Sequence, residues 1–273
     1  MRGRLAAWCL RALWGAGGGA AVFLLLCAVG VVDPATLGPA PAEPAVPAAL
    51  WTRPEEPPFR AAALSVEEVD RGGSVPAGVD GGVVTMKAPD GTLAWVSDLP
   101  LAADVGVSYD RPARNQALRS LEGYTVAAVS CLRDDALTRA RPEMALRRES
   151  GAPWREEDGG GWLDPADPET LTYTVGLCRE LAGLGFDEIL LTHCRYPAGY
   201  DGPEDQDLVL ETFCRRLRGS LADFPVRVSV VGERDQDPAL LAVFDRVWAE
   251  KGDGAALGAF RPVELPETQR SAA

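Results

Sequence analysis

Histidine is almost absent from this chain of 273 residues: there is one, His193. A metal site built on a pair of histidines is thereby excluded, and no metal site is expected. Lysine is nearly as scarce, at Lys87 and Lys251 alone, so arginine carries most of the positive charge. Positive charge as a whole is short, with Lys+Arg 27 against Asp+Glu 40 and a net charge of -13. Phosphate backbones need basic patches, so no nucleic-acid partner is expected. Three catalytic or structural motifs are also missing. There is no nucleophile elbow G-x-S-x-G, no phosphate-cradling G-x-x-x-x-G-K-[ST] loop, and no C-x-x-C pair of the kind that zinc ribbons use. No cofactor is expected, and "GGG" at 159 to 161 reads as a flexible turn before Trp162.

What is present begins with "LWGAGGGAAVFLLLCAVGVV", residues 13 to 32, an uncharged apolar run. Its length matches the ~20 residues that a membrane-crossing helix needs. Arg2, Arg4 and Arg11 precede it within a basic segment, 1 to 12, and Asp33 and Pro34 end it. Positive charge on the short side keeps that end in the cytoplasm and exports the rest. The expectation is a single-pass anchor in the cell membrane with an extracytoplasmic C-terminal domain. A cleaved signal peptide and a secreted protein form the rival reading. Residues 33 to 58 are rich in Pro and Ala and read as an extended spacer. A domain over 59 to 250 and a flexible tail over 251 to 273 complete the expected division.

Export changes how the cysteines read. Cys9 and Cys27 belong to the anchor region, and Cys131, Cys178, Cys194 and Cys214 lie beyond it. An oxidising compartment permits disulfides. Cys178 could bridge to Cys214 between successive helices, and Cys131 to Cys194 between strands. Buried thiols are the alternative.

From residue 59 onward, short apolar runs alternate with helical patterns. "RAAALSV", "GGVVTMK", "YTVAAVSCL", "EILLTHC", "VRVSVV" and "DRVWAE" read as strands. Asp90 and Gly91 mark a tight turn. A helix is expected over 111 to 122. Another begins at Pro168 behind an Asp167 cap, with Leu171, Val175, Cys178 and Ala182 on one face, and stops at Gly183 and Gly185. A further helix over 204 to 222 turns Leu210, Phe213, Leu217 and Leu221 inward. Strands separated by helices imply a parallel α/β sheet or barrel. Six strands fall short of the eight of a full barrel. The tail "GAALGAFRPVELPETQRSAA" reads as adding none. The expected fold is an incomplete or degenerate (β/α) TIM-type barrel of about six strands.

The run from Gly82 to Pro197 resembles a bacterial family of glycoside hydrolase-like domains with an α-amylase-like TIM barrel. "VVTMKAPDGTLAWVSDLPLAADVGV" is similar to that family's V-I-D-V-K-D-x-x-G-x-x-x-Y-x-S. "VAAVSCLRDDALTRARPEMAL" is similar to its A-R-I-V-x-F-K-D strand and the P-x-x-A segment behind it. "WREEDGGGWLDPADPETLTYTVGLCRELAGLGFDEILLTHCRYP" resembles W-x-x-x-x-G-x-x-W-V-D-P followed by a helix and G-F-D-E-I-Q-F-D-Y-V-R-F-P. The resemblance implies a barrel whose chemistry sits at the C-terminal ends of its strands.

Glycoside hydrolysis typically uses two carboxyl groups about 5 to 9.5 Å apart. This sequence departs from the family at the positions that would supply them. Thr85 stands at the acid of V-I-D-V-K, Thr192 at the acid of F-D-Y, and Val231 at the acid of S-A-D-V-F-G. A hydroxyl or methyl group cannot carry charge in their place. Asp134 and Glu233 are the carboxylates left to form a relocated catalytic pair. The competing reading makes Asp134 and Arg195 a structural ion pair and Glu233 and Asp235 solvated loop charges. Asp187 and Glu188 precede their strand and are expected to be structural. Arg195, Tyr196, Trp162 and His193 are the candidate sugar contacts. Three functions remain open: a degenerate enzyme that binds cell-wall or extracellular polysaccharide, a weak hydrolase, and a scaffold for another envelope protein.

Overall fold

The computed structural model describes residues 58–267. The expected anchor and nearly all of the expected spacer lie outside these residues. Among the described residues no helix is long and apolar enough to cross a membrane.

Seven strands form one all-parallel sheet in chain order: β1 Ala61–Leu64, β2 Gly81–Lys87, β3 Thr125–Ser130, β4 Glu188–Thr192, β5 Arg227–Val231, β6 Arg246–Ala249 and β7 Val263–Glu264. Seven helices join them: α1 Val66–Asp70, α2 Pro100–Val105, α3 Ala113–Arg119, α4 Asp135–Ala140, α5 Pro168–Leu184, α6 Gln206–Ser220 and α7 Pro238–Leu241. Strands covered on both faces lose the in-out alternation of polarity. All six residues of β3 and all five of β4 are accordingly buried. Helix α5 starts where the sequence predicts: the Asp167 carboxylate accepts from the backbone N–H of Glu169 and Thr170, and Pro168 needs no partner. Gly185, at φ 101°, ends it in the left-handed conformation that a side chain resists. Leu171, Val175 and Cys178 are buried on its inner face, with Ala182 half-buried against the same core.

Two apolar layers result. The larger lies between sheet and helices and holds Val84, Ala127, Val129, Ile189, Leu191, Val228 and Val230. The smaller fills the inside of the curled sheet with Val83, Val126, Ala128, Leu190, Trp248, Val263 and Leu265. Phe59, just before β1, reaches Trp248 on β6 with ring centroids 6.0 Å apart, and the Arg246 guanidinium lies 4.3 Å over the Phe59 ring. First and sixth strands meet across the interior, so the sheet is a nearly closed TIM-type barrel.

The expected count of six strands is one too few. Val263–Glu264 pairs with β6, and Leu257, Phe260 and Leu265 are buried, so packing continues beyond residue 250. A two-residue strand behind Pro262 is too short to show any periodicity.

Near the N-terminal ends of the strands, Glu188 is fully buried inside the barrel. Its carboxylate accepts from Tyr124 Oη at 2.7 Å, Arg246 Nη1 at 2.7 Å, Trp248 Nε1 at 2.8 Å and the Ser229 hydroxyl. Buried charge is tolerated only when paired and hydrogen-bonded in this way. Asp187 accepts from Thr125 N at 2.8 Å, tying β3 to β4. Both acids brace the sheet; Asp187 precedes β4, whereas Glu188, expected before the strand, is its first residue.

Candidate functional site at the C-terminal ends of the strands

A cavity of about 300 Å³ opens at the C-terminal ends of β4, β5 and β6. His193, Cys194 and Arg195 line it from behind β4, Val231 to Asp235 from behind β5, and Glu250 and Asp253 from behind β6. The sheet geometry explains the set. Parallel strands point their C-terminal ends the same way, so the loops that follow converge.

Glu233 pairs with the Arg195 guanidinium, and Arg234 Nη2 reaches Asp253 Oδ1 at 2.8 Å. Burial pushes the Glu233 carboxyl above its ordinary value. Arg195 opposes that shift, while Asp235 and Glu250 reinforce it. A glutamate biased toward its protonated form beside other carboxylates has the electrostatics of a general acid. Gln236 fixes the loop: its Oε1 accepts from Glu233 N at 3.2 Å and its Nε2 donates to Cys194 O at 3.1 Å.

The inward positions nearest the cavity are neutral. Leu190 lies in the inner cluster, and alternation places Thr192 on the same face, 7% exposed. Val231 packs against that cluster from β5. Thr85 is likewise in register with the inner Val83.

His193 interrupts the alternation. Its φ of 50° is left-handed, a conformation that costs a non-glycine residue roughly 1 kcal/mol or more. The turn brings its Nδ1 to 3.1 Å from both Ser130 Oγ and Thr192 Oγ1. It also sends Cys194, which alternation alone would face inward, into the outer layer. The ring meets Trp162 edge-on, centroids 5.7 Å apart.

The predicted site residues divide. His193, Arg195 and Glu233 come together at the cavity. Asp134 does not line it. A register shift between Thr85 and Lys87 sets Lys87 opposite Val129, a residue of the helix-facing layer. Lys87 Nζ lies 3.0 Å from Asp134 Oδ2, and both side chains are shielded from solvent. Asp134 also caps α4 by accepting from Leu137 N at 2.8 Å. Gly91, at φ 95°, lets the β2–β3 loop close over this pair: a Cβ there would stand 2.3 Å from Asp134 Oδ1. Asp134 is thus partnered by Lys87, and Arg195 by Glu233. Neither the Asp134–Glu233 pair nor the Asp134–Arg195 pair assembles.

Trp162 is fully buried and carries the Arg195 guanidinium 5.1 Å over its ring. It supports the cavity wall and presents no face to solvent. Tyr196 is half-buried and stacks on Tyr200 at 5.5 Å, and Trp154 meets Tyr200 edge-on at 6.0 Å. Glu250 and Asp253 escaped the sequence reading. The signal for Glu250 was its place directly after "RVWA", in step with the inward Trp248.

Curated proteins give no match to this chain. Among solved structures, a hypothetical protein from Ruminiclostridium thermocellum superposes with a TM-score of 0.51 at 21% identity, covering 62% of this chain and 96% of that one. The α-galactosidase TtGalA of Thermus thermophilus gives a TM-score of 0.50 at 16% identity, covering 78% of this chain. This chain spans 47% of that enzyme. At such identities the likeness concerns the fold. Residues 76–229 match the family described as "putative glycosyl hydrolase domain". That match takes in more than half of the sequence and the strands β2 to β4, the last of which leads into His193, Cys194 and Arg195 at the cavity, and the chain belongs to this family.

Proposed function

We propose that the domain binds a polysaccharide at the C-terminal cavity and has lost the hydrolysis of its ancestors. The observation that carries this reading is the neutral chemistry of the strand-end positions Thr85, Thr192 and Val231. Most glycoside hydrolases cleave with two carboxyl groups flanking the bond. Loss of one general acid or base alone costs about 10² to 10⁴ in rate. In this proposal the basic, apolar N-terminus anchors the protein in the cell membrane, and the acidic domain faces cell-wall or extracellular glycan.

One observation favours a second reading, residual hydrolysis. Glu233 is shifted toward its protonated form, and Glu250 interacts with it across the cavity mouth. Glu233 would protonate the leaving oxygen, with Glu250 as the second carboxylate. The pair differs from the one expected from sequence, because Glu250 replaces Asp134.

The test is reducing-end release by the full-length protein from a panel of α-glucans, β-glucans and cell-wall polysaccharides, with pull-downs on the same panel. Binding without release supports the proposal. Release that vanishes in both Glu233→Gln and Glu250→Gln supports the second reading and overturns the first. A co-purifying protein with no glycan retained would overturn both in favour of an envelope scaffold.

A further inference from the structure

The four cysteines of the domain converge beneath the cavity, two just past the ends of β3 and β4 and two on α5 and α6, and all are free buried thiols: neither Cys178–Cys214 nor Cys131–Cys194 is bridged, and the alternative of buried thiols holds in this structure. Cys131, Cys178, Cys194 and Cys214 are each 2% exposed or less. Cys194 Sγ lies 3.5 Å from Cys214 Sγ. Cys131 interacts with Cys194 from the neighbouring strand, and Cys178 with Cys131. The left-handed His193 creates this arrangement, since it turns Cys194 out of the barrel and onto α6. Among the described residues no group of three or more side chains is placed to hold a metal ion.

We propose that Cys194 and Cys214 form a disulfide when the chain folds in an oxidising compartment. A bond of about 2.05 Å requires the two sulfurs, 3.5 Å apart, to approach by roughly 1.5 Å. Cys194 can make only one such bond. Cys214, in direct contact, takes it, and Cys131 and Cys178 stay reduced. The step is thiol–disulfide exchange with a disulfide oxidant such as oxidised glutathione. The two protein thiols lose two protons and two electrons, one S–S bond forms in the protein, and the oxidant's S–S bond breaks to give two thiols. Against an opposing hydrogen bond from Cys131, the hydrogen bond with Cys214 and then burial hold the Cys194 thiol well above its ordinary pKa, which suppresses attack in the folded state. The bond therefore forms during folding, before α6 closes over β4. Once made, it ties the loop that carries Arg195 covalently to α6.

The experiment refolds reduced, denatured full-length protein in a reduced/oxidised glutathione buffer. Acid quenching, thiol alkylation and peptide mass spectrometry follow. The expected result is one peptide pair joining Cys194 to Cys214, with Cys131 and Cys178 alkylated. The same link should form in a Cys131→Ser/Cys178→Ser double variant and be lost in Cys194→Ser. Reduction should lower the thermal midpoint of wild type by roughly 5 to 10 °C and leave that of Cys194→Ser unmoved. Four alkylated thiols in natively refolded protein would overturn the proposal. So would a Cys131–Cys194 link, or stoichiometric zinc that shields the thiols until it is chelated.

Discussion

Glu188 and Glu233 belong to neighbouring strands and opposite ends of the barrel. Glu188 opens β4, is sealed from solvent, and has four donors on its two oxygens. Glu233 follows β5, is about half exposed, and has one guanidinium partner among other carboxylates. Chemically the side chains are identical. The first has its charge compensated in full and so braces the interior. The second is under-compensated and beside open space, where a ligand can still alter its state. Stability resides at the N-terminal ends of these strands and the candidate chemistry at the C-terminal ends, as the barrel architecture implies.

Disrupting the braced end should cost the most. Glu188→Ala removes the acceptor shared by Tyr124, Ser229, Arg246 and Trp248, and should lower stability by about 3–5 kcal/mol in urea denaturation. A loss below ~1 kcal/mol would show that the network contributes little. Asp134→Asn comes next. It keeps the cap on α4 but leaves the Lys87 ammonium facing a neutral amide, which should cost about 2 kcal/mol. If Asp134 were instead catalytic, the substitution would abolish turnover with stability intact.

His193 sharpens the comparison from the other side, since strain is stored at the open end. His193→Val, a β-branched residue forced to φ 50°, should lose about 1–2 kcal/mol relative to His193→Gly, which adopts that conformation freely. Equal midpoints for the two variants would mean that the turn relaxes. Smallest is the effect of Glu233→Gln, within about 0.5 kcal/mol at neutral pH, as for other solvent-facing substitutions. Its signature is the pH dependence. The folded-state pKa of Glu233 is raised, so the folded protein binds that proton more tightly than the unfolded chain does. The resulting stability is fully present below the unfolded glutamate value and is lost as pH rises through the raised one. Urea midpoints of wild type should therefore fall, relative to Glu233→Gln, across that window. Parallel profiles would refute the shift.

Much of the framework was legible because it is written in local chemistry. Asp167-Pro168 begins α5 and Gly185 ends it with bonds that involve only their own neighbours. "GGVVTMK" and "EILLT" are mostly apolar and lack an in-out alternation of polarity because both faces are covered. The family motifs placed the strand ends, and Arg195 and Glu233 were found at the cavity. Less of the site could be read. Asp134 shares its strand-end position with catalytic acids, yet a register shift in β2, invisible in composition, turns Lys87 to meet it. Trp162 reads as a sugar platform, and only the packing of the β3–α5 loop buries it.

The alternation of strand and helix, their caps and turns, the neutral strand ends and the acidic balance all follow from local stretches of the amino-acid chain. Each depends on residues close together in the chain. Tertiary structure decided which charges are paired, which aromatic rings face solvent, which cysteine sulfurs touch, and that a two-residue segment near the end completes a seventh strand. Those outcomes depend on the curl of the sheet and on one left-handed residue, which bring together groups that no local pattern relates.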